Sequence, residues 1–169
     1  MAKALIILNQ RGFHEDEVNV PKKAMERLGH SVKLASITRN SAFSRNGTEF
    51  RPDFALYELD AAYFDVVLVV GEGTRELASK KEAILFVRNA ALRGKIIGGL
   101  TGGPLVLAAA GVLGGKRATV LPDKDCIREL CQCNARYSAE HVVSDGNVVT
   151  ADDPESSEEF IREIIKILG

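Results

Sequence analysis

Apolar runs and amphipathic stretches alternate along the chain. Residues 4–8 (ALIIL) form a continuous apolar run, as expected of a parallel strand covered on both faces. Residues 18–28 carry Val18, Met25 and Leu28 at helical spacing. Pro21 belongs in a first turn, so this helix is expected to begin near Asn19 or Val20, with Gly29 as its stop. Residues 31–36 read as a second strand, and the polar stretch 37–52 as a loop or hairpin excursion. Residues 66–70 (VVLVV) are the clearest buried strand and run into Gly71-Glu72-Gly73. Residues 79–92 place Ala83, Ile84, Val87 and Leu92 between charges, which predicts an amphipathic helix. Residues 96–100 are the next strand, and Gly103 or Pro104 starts a helix running to about residue 112. Residues 117–120 are β-like, and 123–133 read as helical. Residues 141–143 and 148–150 flank Asp145-Gly146, a hairpin signal. Pro154 and the acids of 155–159 open a last helix that ends at Leu168.

This alternation predicts an α/β fold: a doubly wound, mostly parallel sheet with helices on both faces, in one domain over residues 1–169. In such sheets ligands sit outside the carboxyl ends of the strands. The loops to inspect are therefore 9–17, 71–75 and 100–104.

Composition narrows the function classes. Lys plus Arg number 22 against 23 Asp plus Glu, a formal charge of -1, which gives no support to a nucleic-acid or anionic-membrane partner. Residues 96–115 carry no charge over a length able to span a bilayer, but Pro104 and three glycine pairs break them into strand, turn and helix. The start of the chain lacks the apolar length and cleavage site of a signal peptide. Cys126, Cys131 and Cys133 are odd in number and clustered, so no disulfide framework is expected and a reducing, cytoplasmic setting is the simpler reading. Their spacing matches no standard zinc pattern, even with Asp123, Asp125 or His141 as a further ligand. They read as buried or redox-labile thiols, with no metal and no cofactor expected.

The segment Gly99-Leu100-Thr101-Gly102-Gly103-Pro104 joins an apolar strand to a small-residue helix. On the local pattern alone, the glycine pair is a tight strand-to-helix turn. The same architecture fits a nucleophile elbow, which presents one side chain above helix N-terminal amides. Here that side chain is Thr101.

The wider sequence resembles the PfpI/ThiJ superfamily, relatives of the class I glutamine amidotransferases. GKIIGGLTGGPLVLAAAGVLGGKRAT is similar to its elbow region, which usually reads A-I-C-H-G-P-L. GFHEDEVNVPKKAMERLGHSVKLAS resembles the family pattern G-x-E-E-x-E-x-x-x-P with its following helix, glycine and strand. VVLVVGEG stands where the family has L-V-L-P-G-G. HVVSDGNVVTADDP resembles the hairpin V-V-x-D-G-N-L-I-T-S-x-x-P, and residues 38–59 match least. The resemblance implies a flavodoxin-like fold, a homodimer or larger homo-oligomer, and kinship with intracellular proteases, deglycase-like and glyoxalase-like enzymes and stress chaperones.

It also implies an altered site. Thr101 stands at the family's cysteine, Gly102 at its histidine, and Glu72 at a glycine whose amide resembles an oxyanion-hole donor. Glu17 stands at the glutamate that faces the nucleophile. A threonine hydroxyl does not ionise usefully near neutral pH, so attack needs a strong neighbouring base. Glu17 is that base or simply an N-terminal helix acid. Glu72 is a second carboxylate in the cleft: a base beside Thr101, a partner of Arg11 or Arg75, or a solvated loop acid, and facing one cleft it and Glu17 are expected to raise one another's pKa. His14, Gly12, Gly71, Gly73 and Gly103 complete the expected pocket. Three functions follow: a small-molecule-binding member with weak or no catalysis, in a binding, protective or regulatory role; a hydrolase or deglycase-like enzyme using Thr101 with Glu17 on small carbonyl, amide or peptide substrates; and a structural or chaperone-like oligomer.

Overall fold

Burial alternates with period two through the central strands, on both sides at once. Leu5 and Ile7 face one apolar layer while Ala4 and Ile6 face the other, and Val67 and Val69 oppose Val66, Leu68 and Val70 in the same way. Both faces of the sheet are therefore covered, which is why these strands read as unbroken apolar runs. The computed structural model describes residues 1–169.

The first half contains β1 (Lys3–Ile7), α1 (Glu15–Arg27), β2 (Ser31–Ser36), β3 (Ala42–Phe43), β4 (Glu49–Phe50), β5 (Phe54–Ala55) and β6 (Val66–Val70). A 3₁₀ stretch (Glu72–Ser79) then leads into α2 (Lys81–Leu92), β7 (Ile96–Leu100) and α3 (Gly103–Ala109). The chain ends with β8 (Arg117–Ala118), α4 (Lys124–Gln132), β9 (Arg136–Tyr137), β10 (Val142–Asp145), β11 (Val148–Ala151) and α5 (Ser157–Leu168). Seven strands form one sheet in the order β10-β11-β7-β6-β1-β2-β5. Only the β10–β11 pair is antiparallel. Helices α2, α3 and α4 pack on one face, and α1 and α5 on the other. This is the flavodoxin-like α/β architecture. No helix is long and apolar enough to cross a membrane.

Several boundaries differ from the sequence expectation. Helix α1 starts at Glu15, ahead of Asn19 and Val20. The cause is a local cap: the His14 N–H donates to Glu17 Oε2 at 2.8 Å, and the Glu17 N–H donates to the His14 carbonyl at 3.1 Å. Pro21 then lies inside the helix, where it leaves the Glu17 carbonyl without its usual donor. The β10–β11 turn is Gly146-Asn147, one residue beyond Asp145-Gly146, because Asp145 pairs with Val148. Gly146 takes φ 61°, as a two-residue hairpin turn requires of its first position. Helix α2 begins only at Lys81, and α3 ends at Ala109, short of residue 112. The excursion 37–52 contains the hairpin β3–β4. Strand β8 stops at Ala118 and pairs with β9, which the sequence pattern did not indicate; nor did it indicate β5.

The strand order turns at β1: the chain moves outward through β2 on one side and restarts with β6 on the other. The loops leaving β1, β6 and β7 therefore gather at one end of the sheet, beside the crossover reversal where open α/β sheets bind ligands.

Candidate functional site

Two backbone approaches fix the elbow after β7. A side chain at Gly102 would place its Cβ 2.6 Å from the Glu72 carbonyl oxygen, and one at Gly103 would lie 1.9 Å from the Val69 oxygen. The elbow is thus wedged against the end of β6. The first loop joins the same contact, since the Gly73 N–H donates to the Gly12 carbonyl at 2.7 Å.

Thr101 sits at the apex with φ 64°. A β-branched residue in the left-handed region is strained, at about 1–3 kcal/mol, and persists only where its surroundings over-determine it. Those surroundings are explicit. The Thr101 N–H donates to the Ala151 carbonyl and its own carbonyl accepts from Leu121, both at 2.9 Å. Its hydroxyl lies 2.5 Å from Glu17 Oε1. Thr101 and Glu17 are both buried.

Glu17 does two jobs. One carboxyl oxygen caps α1 through the His14 N–H, and the other meets Thr101. Burial pushes its pKa up to about 7, against the hydrogen bonds from Thr101 and His14 and the positive charge of Arg45; Asp153 adds to the rise. Desolvation therefore wins over the helix N-terminus, which on its own favours the charged form. The rise is led by burial, with Asp153 the carboxylate that adds to it, while Glu72 is held by Arg45.

A cavity of about 150 Å³ opens above this pair, lined by His14, Glu17, Arg45, Glu72, Thr101, Leu121, Asp153 and Pro154. Glu72 pairs with Arg45, whereas Arg75 binds Glu129 at 3.1 Å and Arg11 lies over the Phe43 ring at 5.8 Å. Neither of the two expected partners holds Glu72. Arg45 reaches the site from the β3–β4 hairpin. Glu15 ties that hairpin to α1 by accepting from the Ser44 and Thr48 hydroxyls at 3.1 and 2.5 Å.

The Glu72 and Gly102 N–H groups donate to no protein acceptor. A glutamate side chain at position 72 leaves that backbone amide in place. Of the expected residues, Thr101, Glu17, His14 and Glu72 line one cavity. Gly12, Gly71, Gly73, Gly102 and Gly103 form the supporting backbone and do not line it. Arg45, Leu121, Asp153 and Pro154 were not singled out from the sequence. Asp153 and Pro154 fall within the hairpin motif already quoted, and that was the available signal.

No cysteine lines the cavity. Cys126 is buried and its thiol is pushed up by that burial, while Cys131 is exposed and Cys133 half-buried at the end of α4. Asp123 caps α4 at the Asp125 N–H (2.8 Å), and His141 pairs with Asp152 (2.9 Å). No three His, Cys, Asp or Glu side chains are grouped to hold a metal ion.

Comparison with known proteins places this geometry in context. The DJ-1/PfpI family model matches residues 2–167. An uncharacterised protein of Methanocaldococcus jannaschii is 31% identical over 99% of this chain and 82% of its own. A protein of Thermococcus kodakarensis named as a deglycase is 28% identical, covering 97% of this chain and 98% of its own. The crystal structure of a ThiJ/PfpI domain protein from Brachyspira murdochii superposes with a TM-score of 0.91 at 28% identity, over 98% of this chain and 95% of that one.

Proposed function

The chain belongs to the DJ-1/PfpI family, and on that premise we propose that it binds a small carbonyl compound at the Thr101–Glu17 pair without the thiol chemistry of a cysteine elbow. The observation that carries this reading is the buried, strained Thr101 hydroxyl 2.5 Å from a carboxyl whose pKa lies near 7. Strain of this kind is characteristic of functional positions.

The pair has two hydrogen-bonding states. With Glu17 ionised, the threonine hydroxyl donates to the carboxylate. With Glu17 protonated, the carboxyl O–H donates to Thr101 Oγ1, and the threonine proton turns toward the cavity. In that second state Thr101 is a donor for a ligand carbonyl. The unbonded amides of Glu72 and Gly102 are further donors at the same end of the sheet. Size supports a small ligand: the cavity of about 150 Å³ lies below the ~300–1,000 Å³ usual for drug-sized ligands.

One observation favours a second reading. The hydroxyl–carboxylate contact is also the arrangement of a general base beside a nucleophile. In that reading Glu17 takes the Thr101 proton as Oγ1 adds to the carbonyl carbon and the C=O π pair moves onto the carbonyl oxygen; a relative named a deglycase is in keeping with carbonyl chemistry.

A panel of small aldehydes, glycated thiols and peptides, followed by NMR and by turnover, separates the two readings. The binding reading expects aldehydes to shift the Thr101 and Gly102 amides with negligible turnover, and Thr101→Val to weaken binding about tenfold. Turnover abolished by both Thr101→Val and Glu17→Gln establishes the enzyme instead. No perturbation by any compound removes both.

A further inference from the structure

A second, larger cavity lies at the opposite end of the sheet. It measures about 520 Å³ and is built where α2 and α3 end and β7 and β11 begin. Ile97, on its floor, is four strand residues before Thr101, which separates the two sites by about 13 Å at ~3.3 Å per residue. Volumes of about 300–1,000 Å³ are usual for small-molecule pockets.

Its lining is chemically one-sided. Arg88, Lys95 and Lys116 all line it, and no aspartate or glutamate does. None of the three cations has a carboxylate within 4.0 Å, although ten other ion pairs occur in the chain. Helix carbonyls at this end account for only part of the positive charge. The Ala110 carbonyl accepts from Arg88 Nε at 3.1 Å, which leaves both Nη groups of Arg88 without a partner in the protein. The Gly94 carbonyl is taken by Asn147 Nδ2 at 3.2 Å. Lys116 leans over the β10–β11 turn, its Nζ 3.4 Å from where a Cβ on Gly146 would stand. Both lysines are half-buried, and Arg88 is exposed. Ile97, Val112 and Val148 supply an apolar wall between the cationic groups.

Three cations without a carboxylate partner thus line one cavity together with apolar side chains. We propose that this cavity is a second ligand site, for a small molecule with an apolar body and an anionic head, held by Lys95, Lys116 and Arg88. The site is independent of the elbow and of the function assigned there.

Calorimetric titration with 4-phenylbutyrate and with its neutral amide tests the charge requirement directly. The acid is expected to bind at least about tenfold more tightly than the amide, and added salt to weaken the acid alone. The double substitution Lys95→Gln with Lys116→Gln should erase the preference. Lys95→Arg with Lys116→Arg should keep it, which separates lost charge from lost fold. Amide shifts should centre on Gly94, Gly111 and Gly146. Equal binding of acid and amide, no binding of either at about 10 mM, or shifts centred on Thr101 would overturn the proposal.

Discussion

Threonine is a poor occupant of the left-handed region, and a buried glutamate is a poor carrier of charge; at this elbow the two are bonded to each other. The consequence at Glu17 is measurable as stability. Its native pKa of about 7 stands above the ordinary value of 4.5. The native state therefore holds a proton that the unfolded chain releases as pH rises through that interval. Stability from this group is full below pH 4.5, falls as pH rises, and is lost above about pH 7, a change of about 3.5 kcal/mol at ~1.4 kcal/mol per pH unit. Glu17→Gln removes the titration. Urea unfolding at pH 5 and pH 8 should show the variant gaining on the parent by about 2–3 kcal/mol at the higher pH, since part of the change lies below pH 5. An equal gap at both values would mean that the Glu17 pKa is not raised in the native state.

At the scale of elements, the elbow depends on two backbones meeting without side chains between them. Gly103→Ala sets a Cβ 1.9 Å from the Val69 oxygen and must drive α3 away from β6. A loss of about 1–3 kcal/mol or more is expected from such overpacking. Gly114→Ala meets nothing within 4 Å and keeps an ordinary backbone, so it should stay within about 0.5 kcal/mol of the parent. Denaturant midpoints for the pair decide whether the wedge matters. Element legibility followed burial. Strands β6 and β7 were plain in the sequence because both of their faces are covered by helices. Strands β5 and β9 are two residues each and exist only through their neighbours, so no local period marks them, whereas β8 falls within the β-like stretch 117–120. The start of α1 was displaced because Pro21 is a strong first-turn signal, whereas the actual cap is made by the Glu17 side chain and the His14 backbone.

Across the whole molecule, the fold brings together residues that are 84 positions apart, Glu17 and Thr101. Those two were legible as candidates because one opens the helix that follows β1 and the other is the turn that follows β7, each within a stretch that resembles a known family. Arg45 was not, because it arrives on a hairpin in the part of the chain with the weakest match, and Asp153 reaches the cavity only after β11 has paired with β7. The cavity at the far end of the sheet was equally hidden, being assembled from four element ends. The central claim is that Glu17 and Thr101 form one buried, coupled pair, and the titration of the Glu17 side-chain carboxyl by carbon-13 NMR reads that coupling most directly. The parent protein should titrate near pH 7, and Thr101→Val should titrate higher still, because the lost hydroxyl had favoured the charged form. A midpoint near 4.5 in both proteins would contradict it.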